Sequence, residues 1–381
     1  MIENISIKNF TVFEDININF SPKINIIIGE NGTGKSQLLR LIFALCKGNK
    51  KNINSINYTN LMMAEDITNM LLDTFQPIDN KLWKLRRNKA KSKANIKGEF
   101  TFGKSIKFDF NINSQKVKIS SNNCYERYSY SPIFIPTKEI LSFLSTLANE
   151  KNNEQIIKLF FDGTYIDLYE NLLKEVIKND KTDPKYASIS RKIIEVIGGK
   201  FCFTDNKFYF EPGKIEEKII LKGTRNRPHN ITGDFFVSEK GCEISNNMIA
   251  EGFRKIGTLQ HLLENGSLLP GVSGPLLWDE PESNMNPKLM KALVEILLEL
   301  SRNGQQIILS THDYVLLKWF DLLAVSKKED HIRYHILSKD SEGKIIIEST
   351  DNYTDIGNNA ISQTYSELYD EEIARSIGRK C

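Results

Sequence analysis

Alternation opens the chain. Ile5 and Ile7, then Ile16, Ile18 and Phe20, stand between polar residues at the two-residue period of half-buried strands. The run from Ile24 to Ile28 is denser and predicts a strand covered on both faces. Past a glycine-rich turn the period changes. Leu38, Leu39, Ile42 and Leu45 recur at helical spacing, with Gly48 as a stop, and residues 59–75 predict a second helix. Short strands are expected at Glu99 to Phe102, Ile106 to Phe110 and Val117 to Ile119, and an apolar one within SPIFIPTKEI. From Leu141 to Gly198 the pattern is mainly helical, carried by Ile156, Leu159, Leu168, Leu172 and Val176. Strand-like pieces follow around Phe201 to Phe203 and Phe208 to Phe210.

The last third returns to an α/β rhythm. A helix is expected from Gly252 to Leu263, closed by Gly266. The strand PLLWD precedes a helix from Lys288 to Ser301, ended by Gly304. The strand QIILS, a helix near Tyr314, two closing strands (His331 to Leu337, Lys344 to Glu348) and a terminal helical segment complete the pattern. There is no internal repeat, low-complexity linker or sustained heptad.

At 381 residues the chain can bury a sizeable core in one large or two joined domains. A net charge of +3 is too small to imply nucleic-acid binding from the total alone. MIENISIKNF lacks the charged leader and apolar core of a signal peptide, and no run of about 18 apolar residues predicts a membrane span. Cys46, Cys124, Cys202, Cys242 and Cys381 never form a C-x-x-C pair, which argues against a disulfide framework or a zinc site. A cytoplasmic location is expected.

The chemistry begins at Gly29-Glu30-Asn31-Gly32-Thr33-Gly34-Lys35-Ser36, which fits G-x-x-x-x-G-K-[ST] between a strand and a helix. Glycines let the backbone turn its amides toward phosphates, and the helix adds unpaired N–H groups and its positive dipole end. Gly29, Asn31, Gly32, Thr33, Gly34, Lys35 and Ser36 are therefore expected to bind ATP, with Lys35 on the β- and γ-phosphates and Ser36 on Mg²⁺. Far downstream, GPLLWDEPES ends an apolar strand in Asp279 and Glu280. Asp279 is the expected second Mg²⁺ contact and Glu280 the group that polarises the attacking water. QIILSTHDY then places His312 at the end of another strand.

This order of motifs resembles the ABC-class ATPases, including SMC-type DNA-repair heads and the OLD-like AAA proteins, the closest match being stand-alone ATPases of prokaryotic anti-phage defence. The resemblance implies an α/β head: a mixed central sheet, an antiparallel N-terminal β lobe and an inserted mainly helical region. It divides the chain into 1–140, 141–240 and 241–381. It implies ATP hydrolysis, with Lys35, Glu280 and His312 catalytic and His312 sensing the γ-phosphate. Ser283 to Pro287 is similar to a D-loop, with Asn286 where transport ATPases often have Asp. The segment Ile249-Ala250-Glu251-Gly252-Phe253-Arg254 stands where L-S-G-G-Q is usual. Gly252 is kept for the phosphate of an opposing copy, but Ala250 lacks the hydroxyl, and Arg254 or Lys255 is expected to add charge. No glutamine occupies the Q-loop region, leaving Lys138 or Glu139.

The resemblance further implies a homo-oligomer joined through ATP-bound heads and a separately encoded effector. OLD proteins often carry a nuclease domain, and none is expected in the seventy or so residues after His312. The alternative function is direct DNA processing. The stretch Lys81 to Lys97 holds eight Lys or Arg residues beside Trp83, and Lys222, Arg225, Arg227 and His229 form a smaller cluster. The helical insert is the expected protein-partner surface.

Overall fold

The structure is a computed structural model. It describes all residues except 49–58, 89, 123–130, 148–159, 177–183, 205–206, 223–228, 240, 326–328, 357–359 and 378–381. Ile156, Leu159, Arg225 and Arg227 therefore lie outside the described residues.

The alternating N-terminal segments are β1 (Ile2–Phe10) and β2 (Phe13–Asn19), antiparallel with Ile5 opposite Ile18 and Ile7 opposite Ile16. The dense run is β3 (Ile24–Gly29), followed by α1 (Lys35–Gly48) and α2 (Asn60–Phe75), whose N-cap Thr59 accepts a bond from Met62 N. Next come β4 (Ala94–Phe100), β5 (Lys104–Phe110), β6 (Lys118–Asn122) and β7 (Ile133–Ile135). The insert holds α3 (Leu141–Leu147), α4 (Gly163–Leu172) and α5 (Pro184–Ile197), then β8 (Gly199–Thr204), β9 (Lys207–Lys222) and β10 (His229–Ser238). The C-terminal part runs β11 (Ile244–Ser245), α6 (Glu251–Glu264), β12 (Leu276–Asp279), α7 (Pro287–Arg302) and β13 (Ile307–Thr311). It closes with α8 (Tyr314–Leu323), β14 (Ile332–Lys339), β15 (Ile345–Thr350) and α9 (Ala360–Ser376).

Three sheets result. The N-terminal lobe is antiparallel in the order β2-β1-β4-β5-β6. The central sheet runs β15-β14-β3-β13-β12-β7, parallel except for β15. Its strands are nearly all apolar because both faces are covered, and the two-residue period assigns the side chains. Ile26, Trp278 and Leu309 join the core under α6 and α7, whereas Ile27, Leu277 and Ile308 join the core shared by α1 and the N-terminal lobe.

In the insert, the helical expectation describes α3 to α5, but β8, β9 and β10 form antiparallel sheet. The strand expected around Phe208 extends to sixteen residues in β9, which pairs with β10 from Gly213 to Lys222. Charge and polarity within 213–222 masked this length, because a two-stranded ribbon does not need one uniformly apolar face. Gly257 of α6 has no room for a side chain: a Cβ there would lie 2.1 Å from the Phe201 ring of β8.

Two buried polar groups join the layers. Gln306 accepts from Ile2 N at 3.0 Å and donates to Ile2 O and Ser21 O, tying the start of β1 to the start of β13. His335 of β14 is fully buried, with Nδ1 2.7 Å from Ser349 Oγ and Nε2 3.2 Å from Asn25 Oδ1. Among the described residues no helix is long and apolar enough to cross a membrane, and Cys46, Cys202 and Cys242 are free thiols.

Burial holds the His335 imidazole down to about 3, from an ordinary value of 6.5. The unfolded chain takes up this proton near pH 6.5 and the folded one refuses it until about pH 3. Stability is therefore lost as pH falls through that window, at up to about 1.4 kcal/mol per unit. Urea unfolding of wild type and His335→Gln between pH 7 and 4 checks this. The wild-type advantage is expected to shrink on acidification, and parallel curves would show that His335 is not the responsible group.

Candidate nucleotide site

The central sheet fixes where the motif residues meet. β3 ends at Gly29, with β13 on one side and β14 on the other. A Cβ on Gly29 would lie 2.4 Å from Leu337 O of β14, so only glycine lets the chain leave the sheet here. Gly34 has φ 97°, and a Cβ on it would meet Val12 at 2.7 Å and Phe13 at 2.8 Å. The loop is thus pressed against the N-terminal hairpin on one side. On the other, Gly32 (φ 80°) faces open space, and Asn31 is exposed at the loop tip. Thr33 is buried and donates its hydroxyl to Glu30 O at 2.8 Å.

Lys35 folds back beneath the loop, donating to Gly29 O at 2.7 Å and Glu30 O at 3.2 Å. Burial lowers its ammonium pKa, opposed by the carboxylates of Glu280, Asp279 and Glu282. Ser36 reaches across to β12 and donates to Asp279 Oδ1 at 3.1 Å. The same oxygen accepts from Ser310 Oγ, on the residue paired with Asp279 in the β12–β13 register. Glu280 leaves β12 with φ 49°, its amide held by Ser310 O at 3.1 Å. Its Oε1 lies 3.2 Å from His312 Nδ1, whose ring is half-exposed. Lys35, Ser36, Asp279, Glu280 and His312 thus meet at one edge of β3, β13 and β12, where parallel α/β sheets bind ligands.

Oxygen donors from Ser36 and Asp279 suit Mg²⁺, which takes one or two protein ligands and fills its shell with phosphate and water. Among the described residues no group of three or more His, Cys, Asp or Glu could hold a metal by itself.

Arg254 and Lys255 both find partners inside the chain. Arg254 does not offer a free charge at the helix entry: it pairs with Glu139 at 2.7 Å and donates to Asn246 O and Ile249 O. Lys255 is buried on the D-loop, donating to Ser283 O at 2.6 Å and to its hydroxyl. Gly252 packs beneath Met285 and Leu289, separate in its contacts from the phosphate-loop cluster. The α6 N-cap, Ala250, supplies no side-chain bond, consistent with its missing hydroxyl. Glu139, one of the two Q-loop candidates, is engaged with Arg254, while Lys138 N donates to Tyr165 OH at 3.3 Å. Asn286 has a local role as N-cap of α7, accepting from Lys288 N.

Glu282 was not singled out in the sequence. It is buried, and its Oε1 accepts from Thr311 Oγ1 at 2.7 Å and His312 N at 3.2 Å. The third acid of Asp279-Glu280-Pro281-Glu282 was the available signal, but its direction depends on the turn.

A family model described as "AAA domain, putative AbiEii toxin, Type IV TA system" matches residues 158–318, and one described as "AAA domain" matches residues 4–192. The chain is a P-loop ATPase of the AAA type. Its fold is that of an SMC head. The structure entitled "Crystal structure of the SmcHead bound to the C-winged helix domain of ScpA" aligns with a TM-score of 0.51 and 13% identity, covering 93% of this ATPase and 99% of that chain. DNA repair protein RecN of Rickettsia conorii is 25% identical over 261 residues, 66% of this chain and 42% of RecN. DNA replication and repair protein RecF of Ligilactobacillus salivarius is 43% identical over 44 residues, 12% of each protein. The ATPase thus spans less than half the length of these curated relatives.

Removing the Lys35 ammonium deletes a cation set under the loop. Lys35→Ala is expected to abolish ATP binding in calorimetry, and an unchanged affinity would remove Lys35 from the site. Glu280→Gln is expected to bind ATP but turn over about 10²- to 10⁴-fold more slowly, the usual span for losing a general base. Phosphate release assays read this directly.

Proposed function

We propose that this ATPase is a nucleotide-driven switch that licenses or restrains a separately encoded effector in anti-phage defence. In this reading the loop from Gly29 to Gly34 cradles the phosphates, and Lys35 leaves the Gly29 and Glu30 carbonyls to contact the β- and γ-phosphates. Ser36 and Asp279 hold Mg²⁺, which supplies charge neutralisation at the phosphates. Glu280 orients the attacking water and takes its proton. His312 turns from Glu280 to the terminal phosphate, so the acid is released for chemistry only when triphosphate is bound. Gly252 and the α6 N-terminus receive the phosphate of a second copy.

The observation that carries the switch reading is the link from α1 to the insert. Arg40 pairs with Asp162 at 2.8 Å, and Lys47, one further stretch along α1, pairs with Asp167. Asp162 is also the N-cap of α4, accepting from Thr164 N at 2.8 Å. A shift of the helix that begins at Lys35 therefore pulls on α4 through two partly buried charge pairs, which resist separation more than exposed ones. The AAA-domain match whose description names a type IV TA system supports action with a partner.

The names of the RecF and RecN relatives favour a second reading, direct nucleic-acid processing. The basic stretch argues less strongly for it. Lys81 pairs with Asp79, Arg87 with Glu14, Lys93 with Asp109 and Lys97 with Glu99, while Lys84 lies over the Trp83 ring.

Light scattering on Glu280→Gln with and without ATP and Mg²⁺ tests the switch. The mass is expected to rise with ATP, and a fixed mass would exclude closure of two heads by nucleotide alone. Strong DNA stimulation of turnover, lost in a Lys84→Glu, Arg86→Glu, Arg87→Glu variant, would instead establish the second reading.

A further inference from the structure

We propose that Glu282 is a positioning residue for the histidine switch, anchoring the main chain of His312 while its ring exchanges Glu280 for the terminal phosphate. This rests on the reading of Glu280 and His312 given above.

The geometry separates a fixed part from a free part. Glu282 sits in the turn after β12, a turn closed by Ser283 N on Glu280 O at 3.1 Å and Met285 N on Glu282 O at 2.9 Å. From there Glu282 Oε1 accepts from two successive residues at the end of β13, Thr311 through its hydroxyl and His312 through its amide. The Thr311 hydroxyl also accepts from Asp313 N at 3.0 Å, and Asp313 caps α8 by accepting from Leu316 N at 2.7 Å. The backbone on both sides of His312 is thereby held. Its ring is not: it is 51% exposed, with Nδ1 3.2 Å from Glu280 and 3.8 Å from Glu282.

Glu282 is costly as mere packing. Its Oε2 is buried without a hydrogen-bond partner among the described residues, and desolvation raises its carboxyl pKa. Such a group is retained where its acceptor is needed. Only Oε1 is used, so an uncharged acceptor of the same shape should serve. The neighbouring Ser283 turns the other way, taking Lys255 of α6 and donating to Thr137 O at 3.2 Å. The pivot is thus braced against the helix that carries Gly252.

The test compares steady-state hydrolysis and ATP binding in wild type, E282A, E282Q, T311V, H312A and the E282A/H312A pair. E282A is expected to lower kcat about 10²-fold, the scale of a displaced catalytic group, with KM and ATP affinity nearly unchanged. E282Q is expected to restore most of kcat, because its amide oxygen accepts the same two bonds. In the H312A background, E282A should cost little more, since both act through one group. Wild-type turnover in E282A, equal impairment of E282Q and E282A, or additive losses in the double variant would each overturn the proposal. Should E282A not fold, T311V and E282Q carry the test: T311V with wild-type kcat, or E282Q with kcat lost, would overturn it. Wild-type turnover in E280Q is a separate result and would sink the reading of Glu280 instead.

Discussion

Parallel pairing of β3 with β13, and of β13 with β12, is the constraint on which the site depends. These ladders set Ile28 opposite Thr311 and Asp279 opposite Ser310. Three segments, β3 lying far upstream of β12 and β13 in sequence, therefore end at one edge. The polar side chains of the site lie at or beyond that edge, because the positions before it in β3, β12 and β13 are mostly Ile, Leu and Trp. A slip of one residue in either ladder would turn Asp279 to the opposite face and separate it from Ser36.

At that edge the groups are satisfied by one another. Lys35 lies on loop carbonyls, Ser36 and Ser310 share one oxygen of Asp279, and Glu280 faces His312. Leaving any of them unpaired in a partly buried site would be costly, so the pairs hold the residues near their working positions. Triphosphate offers stronger, charge-assisted partners to the cations and hydroxyls. In the proposed switch the nucleotide competes with these internal contacts, which would give binding a structural consequence rather than only an occupancy.

Two sets of contacts lead outward from the site. One follows α1 to α4 through Arg40–Asp162 and Lys47–Asp167. The other follows the D-loop, where Glu282 holds the end of β13 and Ser283 holds Lys255 of α6. The Arg254–Glu139 pair joins α6 to the segment after β7, the edge strand of the central sheet. The insert is consequently braced against the nucleotide lobe by ion pairs rather than by a continuous apolar interface alone.

The sequence by itself determined the elements around the site. Glycine spacing, an apolar strand and a helical period identify Gly29 to Ser36, because each rests on local backbone chemistry. Acids or a histidine ending apolar strands likewise marked Asp279, Glu280 and His312. Only the tertiary structure decided the partners. Arg254 and Lys255 read as free cations in sequence, yet both are held inside the chain, since a helix pattern does not say which acid or carbonyl a long side chain reaches. Glu282 was overlooked for the same reason: the left-handed turn at Glu280 sends it under His312, and no period encodes that direction. The length of β9 also escaped, because its register is set by β10 rather than by its own alternation.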